Sequence, residues 1–275
     1  MSERFENISN LLLELNSLTF SESHKRMLDE KFRLEFNYNS NHIEGNTITY
    51  LDTKILLLKD LVIHPYTFRE LEEMKAHDVA FTLISDWAND QNRDLTLMDI
   101  RHLNKIILVK DYWKDAQTQD GQPARKNIRV GDYKETPNSV RLQNGEVFHY
   151  TDPIDVPFKM EELLKWYHTD SANLHPIIVA SLFHHRFVLI HPFDDGNGRI
   201  ARLLTNFILI RNGYPPVVIK SSEKKKYLNA LRLADVGSFD TLIDFMTQQV
   251  MMSLEISIKA AKGENIDDSD DKNTH

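Results

Sequence analysis

Apolar residues recur every three or four positions along most of this chain, the spacing of helices that bury one face. Phe5, Ile8, Leu11, Leu12 and Leu15 mark a first helix, and residues 25 to about 37 a second. Residues 51–63 form a third, stopped at His64-Pro65, where proline disfavours helix in the residue before it. Residues 67 to about 89 make a long amphipathic segment. Thr96 and Asp99 have the spacing of a capping box, so the next helix starts there and reaches about residue 109. Helices are also predicted over 157–167, 173–190 and 200–211, the last stopped by Gly213-Tyr214-Pro215-Pro216. Two more, from about 222 and 238, carry the chain to 262.

The pattern breaks between 115 and 155, which is polar, with Gly, Pro and Asn among few periodic apolar positions. Within it, Val140-Arg141-Leu142, then Gln143-Asn144-Gly145, then Val147 to Tyr150 read as a hairpin, because Asn-Gly favours a type I′ turn between β-rich flanks. A lone hairpin is marginally stable, so it must lie against helices or bind something extended. The expected fold class is therefore all-α with one small hairpin.

Composition narrows the rest. Of 275 residues, 41% are hydrophobic and 27% charged, enough for a sizeable core. No apolar run is long enough to span a bilayer and no leader pattern opens the chain, so a cytoplasmic protein without a membrane role is expected. There is no cysteine, which excludes disulfides, thiolate metal sites and a cysteine nucleophile. A net charge of −8 argues against nucleic acid as a partner. Half of that excess sits in residues 263–275, where Glu264, Asp267, Asp268, Asp270 and Asp271 face only Lys272; a disordered acidic tail is expected.

The chemistry concentrates at 191–202: His-Pro-Phe-Asp-Asp-Gly-Asn-Gly-Arg-Ile-Ala-Arg. These residues lie between two apolar helical stretches, so they form a loop at a helix N-terminus, where unpaired N–H groups and the helix dipole favour phosphate. Gly196 and Gly198 let the backbone approach an anion. Arg199 and Arg202 project from one helix face, and no acid is suitably placed for both, so an anionic ligand explains them better than surface pairs. His191 has a side chain suited to proton transfer near neutral pH, although a capping histidine is the commoner case. Asp194 and Asp195 could be helix-end charges; one carboxylate beside a phosphate loop suits Mg²⁺ better. A zinc site from His184, His185 and His191 is the rival, but neighbouring helical positions point apart, leaving one core and one surface histidine. The segment reads as a nucleoside-triphosphate site.

Residues 191–202 match the motif His-Pro-Phe-x-(Asp/Glu)-Gly-Asn-Gly-Arg-x-x-Arg of the Fic family at every fixed position. The hairpin at 140–150 resembles the family's flap, and Tyr214-Pro215-Pro216 its usual helix stop. Gly198 stands where related Doc kinases carry lysine, which favours AMP transfer over phosphorylation. Upstream, Ser40-Asn41-His42-Ile43-Glu44-Gly45 resembles the family's inhibitory motif.

The resemblance implies a Fic-type helical bundle over 95–250 with the flap at about 140–150. An N-terminal helical region at 1–94 carries the inhibitory motif, and 251–262 ends the last helix. It implies an autoinhibited protein adenylyltransferase using ATP and Mg²⁺. His191 would take the proton from a Ser, Thr or Tyr hydroxyl, and Asp195 would hold the metal. Gly196, Asn197 and Gly198 would form the anion hole, with Arg199 and Arg202 neutralising pyrophosphate. Tyr227 resembles an adenine-side tyrosine, and Asp235 stands where relatives often carry asparagine. Val140, Arg141, Leu142 and Gln143 would hold an extended target segment, self-modification included. Glu44, with Ser40, would pair with Arg202 in the place of the γ-phosphate. Other readings are AMP removal by a water that Glu44 orients, or a nucleotide-sensing interaction module. Apolar faces in the first hundred residues leave room for a homodimer.

Overall fold

The computed structural model describes residues 5–117, 122–141 and 147–266. The chain opens with α1 (Glu6–Ser17) and α2 (Glu22–Ile43), the latter capped by the Ser21 hydroxyl. Helix α2 is longer than its apolar spacing indicates, running on through Asn37, Asn39, Ser40 and Asn41. These are poor helix formers in isolation, but here they are buried and matched. Asn39 and Asn41 donate to the carbonyls one turn back, Glu35 and Asn37, each at 2.9 Å. Asn37 donates to Asp78 at 2.8 Å, and Asn39 accepts from the Ser221 N–H at 2.8 Å. Tertiary partners thus carry the helix to Glu44.

Helix α3 (Tyr50–Lys59) stops short of residue 63, because Asp60 turns left-handed at φ 54°. Helix α4 (Phe68–Asn89) starts at a capping box of Thr67 and Glu70, and α5 (Leu97–Leu108) at the one anticipated for Thr96 and Asp99. An unanticipated antiparallel hairpin follows, β1 (Tyr112–Gln117) with β2 (Pro123–Ile128), pairing Tyr112 with Ile128. Its sequence, Tyr-Trp-Lys-Asp-Ala-Gln against Pro-Ala-Arg-Lys-Asn-Ile, carries few apolar positions, which is why it read as irregular. Strands β3 (Ser139–Arg141) and β4 (Val147–His149) form the second hairpin. Leu142 and Gln143 lie outside the described residues.

Helices α6 (Val156–Lys165), α7 (Pro176–Ile190), α8 (Asn197–Arg211), α9 (Lys224–Asp235) and α10 (Asp240–Ala261) complete the chain. Helix α8 begins three residues before its apolar run, inside the motif, with Gly196 at φ 81° as its N-cap. From Asn197 to Leu209 only Gly198 escapes full burial, so α8 is enclosed, chiefly by α7 and α4. The first part of the expected acidic tail is packed, since Ile266 is buried at 5% exposure; residues 267–275 lie outside the description. Among the described residues no helix is long and apolar enough to cross a membrane.

Candidate active site

The loop joining α7 to α8 is held from within and from both sides. His191 ends α7 in the left-handed region, φ 49° and ψ 59°, with its N–H on the Phe187 carbonyl. Phe193 is fully buried beneath the loop. The Asn197 amide closes the turn, accepting from the Phe193 N–H at 3.0 Å and donating to the Phe193 carbonyl at 2.8 Å. With its side chain so used, Asn197 offers an anion its backbone N–H. Asn104 of α5 donates to the Asp195 carbonyl at 2.9 Å, and Asn138 to the Phe193 carbonyl at 3.1 Å. Gly196 is required twice over: its φ is positive, and a Cβ there would meet Ile107 Cδ1 at 2.9 Å.

Asp195 accepts from the Gly196 N–H at 2.7 Å through Oδ1, and through Oδ2 from Tyr112 Oη at 2.5 Å and Lys114 Nζ at 2.8 Å. Burial opposes its ionisation, but Lys114, Tyr112 and Arg199 outweigh that and bring the carboxyl down to about 2. The carboxylate is thus ionised and anchored on one oxygen, and a divalent cation arriving with phosphates would have to displace the Lys114 ammonium from the other. Among the described residues no cluster of three His, Asp or Glu side chains forms a metal cage of its own. The zinc alternative fails on geometry. His184 and His185 are both buried, contrary to the expected core and surface pair. His184 Nδ1 engages Thr205 Oγ1 at 2.9 Å and Nε2 engages Tyr227 Oη at 2.7 Å, while His185 Nε2 engages Asp235 at 2.9 Å.

Both arginines have carboxylate partners, two different acids and neither at helical spacing in the sequence. Arg199 Nη1 donates to Glu73 at 2.7 Å. Arg202, buried at 2% exposure, donates Nη2 to Glu44 at 2.7 Å and to the Ser40 carbonyl at 2.8 Å, and Nε to Ser40 Oγ at 3.0 Å. Glu44 follows the last residue of α2, where Lys224 Nζ donates to the Ile43 carbonyl at 2.5 Å. A Cβ on Gly198 would land against the Glu44 carboxylate and 3.2 Å from Arg202 Nη1. The inhibitory-motif carboxylate therefore lies directly over the glycine turn. Burial opposes its charge, but Arg202 and then Arg199 hold its carboxyl below the usual range.

Tyr227 is enclosed at 2% exposure beside Arg202. Its hydroxyl lies 2.7 Å from His184 Nε2 and also engages the Arg202 guanidinium directly. Asp235 stays at the partly exposed edge, on His185. Sequence reasoning also missed Tyr150, which follows β4 and stacks on the His191 ring at 3.8 Å. An aromatic residue closing the hairpin beside the motif was the available signal. The backbones of Val140 and Arg141 form β3 in that hairpin.

A sequence model of the Fic/DOC family matches residues 94–209. A Fic domain-containing signaling protein from Bacteroides thetaiotaomicron superposes with a TM-score of 0.88 at 40% identity, covering 97% of this chain and all of that one. The chain belongs to the Fic/DOC family. Curated relatives include the protein adenylyltransferase Fic of Drosophila sechellia, 29% identical over 94% of this chain and 48% of that one. The protein of the same name from Drosophila yakuba is 31% identical over 81% of this chain and 41% of that one. The chain thus spans about half the length of the curated relatives it matches. Fic-1 of C. elegans shares the fold, with a TM-score of 0.77 at 24% identity, covering 95% and 72% of the two chains.

Three histidines of this Fic fold are kept neutral by burial: His191 down to about 4, His184 to about 3, and His77 well below its ordinary value. Lys134 adds to the effect on His191, and the arginines to that on the other two. Unfolded, each takes up a proton near pH 6.5; folded, it does not until far lower. Stability therefore falls as pH drops through 6.5. His184 and His191 should each remove about 1 kcal/mol between pH 7 and 5.5. Urea unfolding at the two pH values reads this directly, and equal midpoints would contradict it. Asp195 and Glu70, both held near 2, stay ionised across that window and do not mask it.

Proposed function

We propose that this Fic protein transfers AMP from ATP to a hydroxyl on a protein and is held back by its own Glu44. The observation that carries the reading is the convergence of Asp195, Arg199, Arg202 and a neutral His191 on a glycine turn that a carboxylate already covers. The names of the curated relatives point to the same group transfer.

His191 accepts the hydroxyl proton, and the oxygen bonds to the α-phosphorus while the bond to the bridging oxygen breaks and pyrophosphate leaves. The first N–H groups of α8 and the two arginines face the charge that builds on the phosphates. A Mg²⁺ brought by ATP would be held by Asp195 and would offset phosphate charge. Strands β3 and β4 lead through Tyr150 onto the His191 ring, so an extended target segment added to this hairpin would lie beside the base. The hairpin supplies main-chain bonds that read little sequence, which makes self-modification an accessible reaction.

Intact mass tests the proposal. Glu44→Gly protein incubated separately with ATP, GTP, CTP and UTP, each with Mg²⁺, should gain AMP from ATP. No gain from any nucleotide would overturn the reading, and a gain from another nucleotide alone would reassign the donor.

A further inference from the structure

One turn of α4 touches both charged walls of the site. Glu73 bridges two guanidinium groups, accepting from Arg69 Nε at 2.6 Å on Oε1 and from Arg199 Nη1 at 2.7 Å on Oε2. Arg69, four residues back on the same face, lies 3.4 Å above the centre of the Tyr112 ring. Tyr112 in turn donates its hydroxyl to Asp195. A continuous series of contacts thus runs from Arg199 through Glu73, Arg69 and Tyr112 to Asp195. We propose that the Arg69–Glu73 turn is a bracket that positions Arg199 and Asp195 together for the triphosphate. This inference rests on the nucleotide reading of the site given above.

A carboxylate on an anion-site arginine could equally be a second inhibitor, as Glu44 is for Arg202. Three observations separate the two. Glu44 sits at the end of a helix and its oxygen lies on Gly198, in the space an anion would take. Glu73 comes from the second turn of a capped helix that packs along α8, and the atoms nearest a Gly198 Cβ belong to Glu44 and Arg202, not to it. Its charge is also balanced by Arg69, so the pair leaves Arg199 cationic toward the turn. Arg199 is buried at 3% exposure with its Nε unpartnered, so a single bond from Glu73 decides where its fork points. Glu73 and Arg69 are positioning residues, since neither would touch the nucleotide.

The test is nucleotide binding by calorimetry with Mg²⁺ in the Glu44→Gly background. Adding Glu73→Gln should weaken ATP about tenfold, the scale set by removing the outer partner of a ligating group. It should leave AMP within about twofold, because AMP lacks the phosphates that Arg199 would face. A merely structural role would weaken both nucleotides alike and lower Tm. Glu73→Asp, charged on a shorter arm, should fall between the two proteins. If the Gln variant does not fold, the half-exposed Arg69 serves instead, and Arg69→Met should weaken ATP while leaving AMP unchanged. Unchanged or tighter ATP binding overturns the bracket, and tighter binding would make Glu73 a second inhibitor. Failure of the Glu44→Gly protein itself to bind ATP would mean that the site reading is at fault, and the bracket falls with it.

Discussion

Replacing His191 with alanine in the Glu44→Gly protein should lower AMP transfer by about a thousandfold, within the range for loss of a positioned general base. ATP affinity should stay within about twofold, because the groups that face phosphate are Arg199, Arg202 and the start of α8, none of which His191 supports. The reason for a large effect is the state of the ring. Burial, reinforced by Lys134, keeps it neutral far below pH 7, so it is ready to accept a proton at every physiological pH. A group held down to about 4 is a weak base in the free protein. A triphosphate brings negative charge beside it and raises its affinity for the proton at the moment it is needed. In the Glu44→Gly protein kcat/KM should therefore stay level down to about pH 5, where an unperturbed histidine would already have lost most of it. Quantifying AMP on protein by intact mass over time checks the rate. Retention of most of the rate by the alanine variant would remove His191 from the chemistry.

How much was legible from sequence differs sharply between the motif and what surrounds it. Gly196, Asp195 and the two arginines could be placed because loop, glycine and helix start are local, and a twelve-residue segment contains them all. The partner of Arg199 could not, since Glu73 lies 126 positions away and by default is a solvated helix charge. Hairpin β1–β2 was hidden for a related reason. It exposes Trp113 and Lys114 and buries little, so its residues show no alternation strong enough to read, yet it brings Tyr112 and Lys114 onto Asp195. The end of α2 shows the opposite limit. Asn and Ser argue against helix there by propensity, and only the matched amides and Asp78 overturn that preference. The surroundings of Tyr227 were equally hidden, because its place on α9 fixes which face it occupies but not that His184 and Arg202 lie in front of it. That both His184 and His185 are buried was also out of reach, because nothing in their own helix announces Asp235 as the partner of His185.

The complementary experiment removes the cover. Glu44→Gly should bind ATP about thirtyfold more tightly than the wild type, which corresponds to about 2 kcal/mol for one hydrogen bond between charged groups. AMP transfer should rise at least as much. Relief follows because Arg202 does not collapse when Glu44 goes: Ser40 still accepts from its Nε and Nη2, so the guanidinium stays aimed at the turn. Charge and volume can be separated. Glu44→Gln keeps an atom against Gly198 while removing the charge that engages Arg202, so it should bind ATP better than wild type and less well than Glu44→Gly. A Gln variant equal to the Gly variant would assign the inhibition to charge alone. ATP affinity and transfer unchanged by Glu44→Gly would show that the carboxylate over the glycine turn does not restrain the site, and the autoinhibitory reading would have to be abandoned.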